Sequence, residues 1–191
     1  MDTLLTPAAL AALAEAVGAA LVARKTQLAT AESCTGGWVA QALTAQAGAS
    51  GWFERGFVVY SNEAKMELLK VSAALLKREG AVSTAVAREM ALGALRRSRA
   101  GVALAVTGIA GPSGGTPEKP VGTVCFGWGW KKTGADGKET LETQVMTRHF
   151  AGDREAIRRQ SVACALCGVL EVLGEMADTA AVVSVSGHGG D

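Results

Sequence analysis

A chain of 191 residues is long enough for one domain with a sizeable core. Its 19 basic and 18 acidic side chains leave a formal charge of +1, too little for the broad positive field that nucleic-acid binding needs. Hydrophobic residues make up 49 % and charged residues 19 %, an ordinary globular mix, and no apolar run reaches a membrane span. The N-terminus lacks the basic-then-apolar order of a secretory signal. Cys34, Cys125, Cys164 and Cys167 sit within apolar patterns. The CxxC of Cys164 and Cys167 falls in a helical stretch, where packing is the better reading than metal. A reducing cytoplasm is therefore expected. With His149 and His188 the only histidines, a histidine-rich metal site is not expected.

Thr6-Pro7 opens a helix, with Thr6 as cap and Pro7 in the first turn. Leu10, Leu13, Ala14, Val17 and Leu21 share one face of it. Gln27 to Ala31 reads as a strand, and a helix carrying Trp38, Val39, Ala42 and Leu43 runs from about Gly36 to about Gln46. Trp52 to Tyr60 reads as a second strand. Its nearly continuous apolar run, Phe57 to Tyr60, predicts burial on both faces. A helical stretch follows with Glu63, Lys65 and Leu68. Val71 to Arg78 is a short helix closed by Gly80. Ser83 caps a longer one, whose buried stripe is Val86, Ala87, Met90, Ala91, Ala94 and Leu95.

Val102 to Val106 is a third strand, running into the glycine-rich loop Thr107 to Gly115. Val121 to Trp130 and Thr140 to Phe150 are strands joined by a hairpin turn at Asp136-Gly137. Asp153 caps a last helix with Val162, Leu166, Val169, Leu173 and Met176 as its stripe. From Asp178 the chain reads as a frayed tail, so one domain is expected over 1–177 and a flexible tail over 178–191. The order predicts an α/β fold, a three-layer α/β/α sandwich with a mixed sheet. Trp38, Trp52 and Trp128 read as core rather than interface.

Sites in such sheets gather beyond the carboxyl ends of the strands. Three clusters fall there: Ser33, Tyr60 with Lys65, and Thr107 with its glycine loop. Ser33 stands at a strand-to-helix turn, before Gly36 and Gly37. Such a turn exposes a hydroxyl beside free helix N–H groups, as serine nucleophiles and their oxyanion donors require. The same residues also suit plain helix capping by Ser33 or Thr35. A serine needs a base. His149 lies in a strand pattern and His188 in the tail, whereas Lys65 follows an apolar strand, where burial would lower its pKa. Tyr60 could bridge hydroxyl and amine, or simply pack as a buried ring. The loop holding Gly108 and Gly111 offers unobstructed N–H groups that suit phosphate, with Arg148 and Arg154 as reinforcing charges. A mobile connection is the alternative for that loop.

Four ordered blocks then carry a resemblance: Ala31-Glu32-Ser33-Cys34-Thr35-Gly36-Gly37; Tyr60-Ser61-Asn62-Glu63-Ala64-Lys65; Thr107-Gly108-Ile109-Ala110-Gly111-Pro112 with Val121-Gly122-Thr123-Val124; and Phe150-Ala151-Gly152-Asp153-Arg154. Over residues 6–176 the chain resembles the CinA C-terminal domain family, the nicotinamide-nucleotide amidohydrolases. The resemblance implies hydrolysis of nicotinamide mononucleotide to nicotinate mononucleotide and ammonia by a serine–lysine hydrolase, with no metal or cofactor. It implies Ser33 as nucleophile, Lys65 as base, Tyr60 assisting and Thr107 beside the dyad. Thr35, Gly36, Gly37, Asn62, Gly108, Gly111 and Arg148 are the expected substrate contacts, with N–H groups near Thr35 to Gly37 holding the oxyanion. Longer family members add an N-terminal domain resembling molybdopterin-binding proteins, which this sequence does not show. A non-catalytic nucleotide-binding or competence-related module is the alternative. The expected partner is a small nucleotide, with neither nucleic acid nor membrane, and a homo-oligomer is compatible with the chain.

Overall fold

The structure, a computed structural model, describes residues 5–134 and 136–185. Its elements in order are α1 (Pro7–Ala23), β1 (Leu28–Glu32), α2 (Trp38–Thr44), β2 (Phe53–Val58), α3 (Asn62–Leu69), α4 (Ala73–Glu79), α5 (Thr84–Arg96), β3 (Val102–Gly108), β4 (Thr123–Thr133), β5 (Glu139–His149) and α6 (Arg154–Val185). The strands form one mixed sheet in the order β2-β1-β3-β4-β5. β2, β1 and β3 run parallel, and β4 and β5 are antiparallel additions. The three-layer α/β/α expectation holds. Among the described residues, no helix is long and apolar enough to cross a membrane.

The two faces of the sheet are built from different residue sizes. Along β3 and β4 the pairs Leu104–Trp128 and Val106–Phe126 point one way, and Ala103–Gly129 and Ala105–Gly127 point the other. The large face packs against α1, α2 and α6, with Phe126 stacked on Trp128 at 5.7 Å. Trp128 donates its indole N–H to the Ala165 carbonyl of α6, 3.0 Å away. The small face lets α5 lie close, and Ala29 and Ala31 of β1 extend it. A Cβ at Gly127 would stand 2.5 Å from the Ala87 carbonyl oxygen of α5.

Caps fall where the residue types put them. Thr6 accepts from the Ala9 N–H, Ser61 from Ala64 and Ser83 from Val86. Two expectations need correction. β2 is an edge strand, so the run from Phe57 to Tyr60 is not buried on both faces: Val59 is buried, while Val58 and Tyr60 are 50 % and 61 % exposed. A continuous apolar run does not say which strand has a neighbour on both sides. α6 continues past Met176 to Val185, so its helix overlaps the stretch expected to fray from Asp178. His188 and the rest of 186–191 lie outside the described residues.

Gly127→Ala should lower the unfolding free energy by about 1–3 kcal/mol through overpacking against α5. Gly51→Ala, where a Cβ meets nothing within 4 Å, should stay within about 0.5 kcal/mol of the parent. Urea unfolding of both variants checks this, and equal midpoints would mean α5 is not closely seated.

Candidate active site

The three parallel strands deliver their carboxyl ends to one edge. The ladder runs one residue past β1: the Ser33 N–H donates to the Val106 carbonyl (2.9 Å), and the Val59 N–H donates to the Glu32 carbonyl (2.8 Å). Ser33 is thereby fixed between β2 and β3. From β2 the chain turns directly into α3, capped by Ser61. Side chains on a helix lean toward its N-terminus, so Lys65 reaches back beneath the start of its own helix. Its Nζ lies 3.1 Å from Ser33 Oγ and donates to the carbonyls of Val59 (2.9 Å), Tyr60 (3.1 Å) and Ser61 (3.4 Å). The whole side chain is 1 % exposed. Burial pushes the Lys65 pKa below the ordinary lysine value, opposed less strongly by Cys34 and Glu63. A neutral amine with its two N–H bonds on the Val59 and Tyr60 carbonyls keeps a lone pair for the serine hydroxyl.

The turn after Ser33 is held from inside by Glu32, also 1 % exposed. Its carboxylate accepts from Thr35 Oγ1 (2.7 Å) and from the N–H groups of Gly37 (3.0 Å), Val39 (3.0 Å) and Ala40 (2.8 Å). Gly36 and Gly37 take φ of +61° and +93°, the left-handed region that glycine enters without strain. The oxyanion expectation is corrected accordingly. The Gly36 N–H is bound to the Ser33 carbonyl and the Gly37 N–H to Glu32, so neither is free. Among the described residues, neither the Cys34 N–H nor the Thr35 N–H has a hydrogen-bond acceptor. From α6, Arg158 donates to the Thr35 carbonyl (2.8 Å), and its guanidinium lies 5.2 Å from the Trp38 ring centre. Arg158 contacts the turn from 123 positions away, and no local pattern marks it.

A cavity of about 210 Å³ opens at this edge, lined by Ser33, Cys34, Tyr60, Asn62, Lys65, Ala81, Val82, Thr107, Gly108, Ala110 and Arg154. Seven sequence-derived residues thus converge: Ser33, Lys65, Tyr60, Asn62, Thr107, Gly108 and Arg154. Thr35, Gly36 and Gly37 form the turn behind the wall. Thr107 Oγ1 donates to the Ala81 carbonyl (2.9 Å). Tyr60 does not bridge the dyad with its hydroxyl: that oxygen accepts from Arg154 (3.2 Å), and it is the Tyr60 carbonyl that touches Lys65. The edge position of β2 turns the ring outward. Gly111 reaches the site through its carbonyl, which accepts from Arg154 (2.8 Å). Arg148 does not line the cavity. It sits on β5, two strands beyond β3, beside Cys164 of α6. His149, at the end of the same strand, is also off the wall. A larger hollow of about 610 Å³, lined by Lys25, Gln27, Arg99 and Gly101 among others, lies at the opposite end of the strands and holds no serine–lysine pair.

Residues 10–173 match the family described as the CinA C-terminal domain. The chain belongs to the CinA C-terminal domain family. It is 51 % identical over 164 residues to the nicotinamide-nucleotide amidohydrolase PncC of Escherichia coli K12, covering 85 % of this chain and 93 % of that protein. The PncC of Pseudomonas putida is 47 % identical over 160 residues, covering 84 % and 94 %. Among solved structures, competence damage-inducible protein A of Klebsiella pneumoniae superposes with a TM-score of 0.78 at 41 % identity, covering 86 % of this chain and 97 % of that one. The fold of this family member is thus that of its relatives.

Burial pushes the Cys34 thiol up to about 12, so beside Ser33 it stays protonated at neutral pH. Iodoacetamide at pH 7.5 should leave native Cys34 unmodified and react first at exposed Cys167, as read by peptide mass spectrometry. Rapid modification of Cys34 would mean that the turn opens in solution.

Proposed function

We propose that this chain hydrolyses the carboxamide of nicotinamide mononucleotide to nicotinate mononucleotide and ammonia, through an acyl-enzyme on Ser33 with Lys65 as base. The observation that carries the reading is the buried Lys65 amine, 3.1 Å from Ser33 Oγ inside a cavity. The family membership and the names of the relatives support the substrate.

Neutral Lys65 takes the Ser33 proton as Oγ adds to the carboxamide carbon. The carbonyl oxygen becomes negative and receives the N–H groups of Cys34 and Thr35. The Lys65 ammonium, held by the Val59 and Tyr60 carbonyls, gives its proton to the amide nitrogen. The C–N bond breaks and ammonia leaves. Water then attacks the ester, Lys65 takes a proton from it, and the proton returns to Ser33 Oγ as nicotinate mononucleotide departs.

The cavity is smaller than the ~300–1,000 Å³ usual for drug-sized ligands, so it takes the pyridine head while ribose and phosphate lie along its mouth. The phosphate goes to the loop of Gly108 and Gly111 with Arg154, one of the two arginines expected there, while Arg148 stays away from it. Arg154 is pinned there by the Gly111 carbonyl and the Tyr60 hydroxyl.

The native chain should release ammonia from nicotinamide mononucleotide, and Ser33→Ala and Lys65→Ala, each checked for folding, should not. Nucleotide binding without ammonia would make the chain a binding module instead. Because the base must be neutral and burial lowers its pKa, kcat/KM should rise with pH through a midpoint below the ordinary lysine value of 10.5. Arg154→Ala should raise KM for the nucleotide by about 10–100-fold, from the loss of ~1.5–3 kcal/mol of charged hydrogen bonding. Cleavage of the riboside, which lacks the phosphate, should change little. An equal loss on both substrates would place the phosphate elsewhere.

A further inference from the structure

The mechanism uses Ser33, Lys65 and two backbone N–H groups, yet a second buried ionisable group stands next to Ser33 with no step assigned to it. Glu32 accepts four hydrogen bonds from within eight residues of itself. Two come from the Val39 and Ala40 N–H groups at the start of α2 and one from Gly37 just before it, and all three are therefore occupied and unavailable to a ligand. Arg158 approaches the same turn from the other side. Its Nη2 donates to the Thr35 carbonyl, its plane lies over Trp38, and its Nε is buried without a partner. The guanidinium is held by the turn and the indole rather than by a full set of hydrogen bonds. Within the turn only the Gly36 N–H to the Ser33 carbonyl (3.0 Å) and the Trp38 N–H to the Thr35 carbonyl (3.2 Å) hold the backbone, and two glycines leave it access to both φ wells.

We propose that Glu32 and Arg158 are positioning residues. Gripping the turn from its two sides, they hold the peptide units of Cys34 and Thr35 so that both N–H groups stay unpaired and aimed at the oxygen of the reacting group. The inference rests on the serine–lysine reading above and deepens it. Thr35 links the two grips directly. Its hydroxyl is bound to Glu32 and its carbonyl to Arg158, so a single residue is fixed at both ends while its N–H remains open. A glutamine at 32 would keep the volume but turn an NH₂ toward N–H donors. A methionine at 158 would keep the stem on Trp38 but lose the hold on Thr35.

The test separates positioning from mere support. Ser33 is labelled with a fluorophosphonate probe: Oγ attacks phosphorus, fluoride leaves, the Oγ proton passes to Lys65, and the phosphoryl oxygen occupies the oxyanion position. Glu32→Gln should label about 100-fold more slowly, the scale of losing an oxyanion donor, and Arg158→Met about tenfold more slowly. KM for nicotinamide mononucleotide should stay within about threefold of the parent while kcat falls, since ground-state contacts survive. Arg158→Lys, which can still donate to the Thr35 carbonyl, should recover part of the rate. Parent-like labelling in folded Glu32→Gln and Arg158→Met would overturn the inference. If Glu32→Gln does not fold, Arg158→Met against Arg158→Lys decides alone. A native chain that labels at Ser33 but releases no ammonia would sink the substrate reading while the variant comparison still reads the positioning. A native chain that does not label would sink both.

Discussion

Taking an amine out of water costs several kcal/mol if it stays charged, and less only if it can shed its proton. Lys65 lies under that constraint with 1 % of its surface exposed. Its neighbours suit either state. The carbonyls of Val59, Tyr60 and Ser61 accept N–H bonds from an amine or an ammonium, and no carboxylate among its hydrogen-bond partners locks the proton on. That balance depends on the chain passing from β2 to α3 with only three residues between them, so that the carbonyls converge on the first turn of the helix that carries the lysine.

The sheet's unequal faces supply the rest of the geometry. Ser33 leads into α2 on the large-residue face, while Lys65 rides on α3 on the alanine–glycine face. The two meet only past the sheet's end, where both faces open on one edge. α3 is braced from behind by α5: a Cβ at Gly93 would collide with the Leu69 carbonyl, so the helices touch through backbone there. α5 in turn sits close because Ala29, Ala31, Ala103, Ala105, Gly127 and Gly129 present nothing larger than a methyl group to it. Small residues far from the cavity thus set the depth at which the lysine lies.

Much of this was legible in the residues. Apolar runs, one alternating stretch, a hairpin turn signal and helical periodicity located the five strands and six α-helices of the described residues, and the ends of three strands located Ser33, Lys65 and Thr107. What failed did so for physical reasons. The run Phe57 to Tyr60 has the composition of a central strand, but strand order is a long-range property, and at the edge its tyrosine turns outward to Arg154. Arg148 and Arg154 look alike on paper, yet the sheet order carries β5 away from the site and the start of α6 toward it. Glu32 drew no role from the sequence because its carboxylate caps N–H groups five to eight positions ahead, outside the usual N-cap spacing. Arg158 has no local signature at all, since its partner is 123 residues upstream.

A pocket that only held a nucleotide would gain nothing from a lysine placed this way. To grip an anion, an ammonium belongs at the mouth, charged and solvated, where Arg154 already stands. Lys65 instead sits under its own helix with burial favouring the neutral form, and its nearest side-chain oxygen is an uncharged hydroxyl at 3.1 Å. In that setting an amine is a poor anion receptor and a good proton acceptor. The adjacent Cys34, with its thiol pushed up to about 12, cannot replace the serine at neutral pH. On the proposed reading, the chemistry would therefore fall to one hydroxyl. The N–H groups of Cys34 and Thr35, without an acceptor among the described residues, are the complement that a negative oxygen formed at that hydroxyl would require.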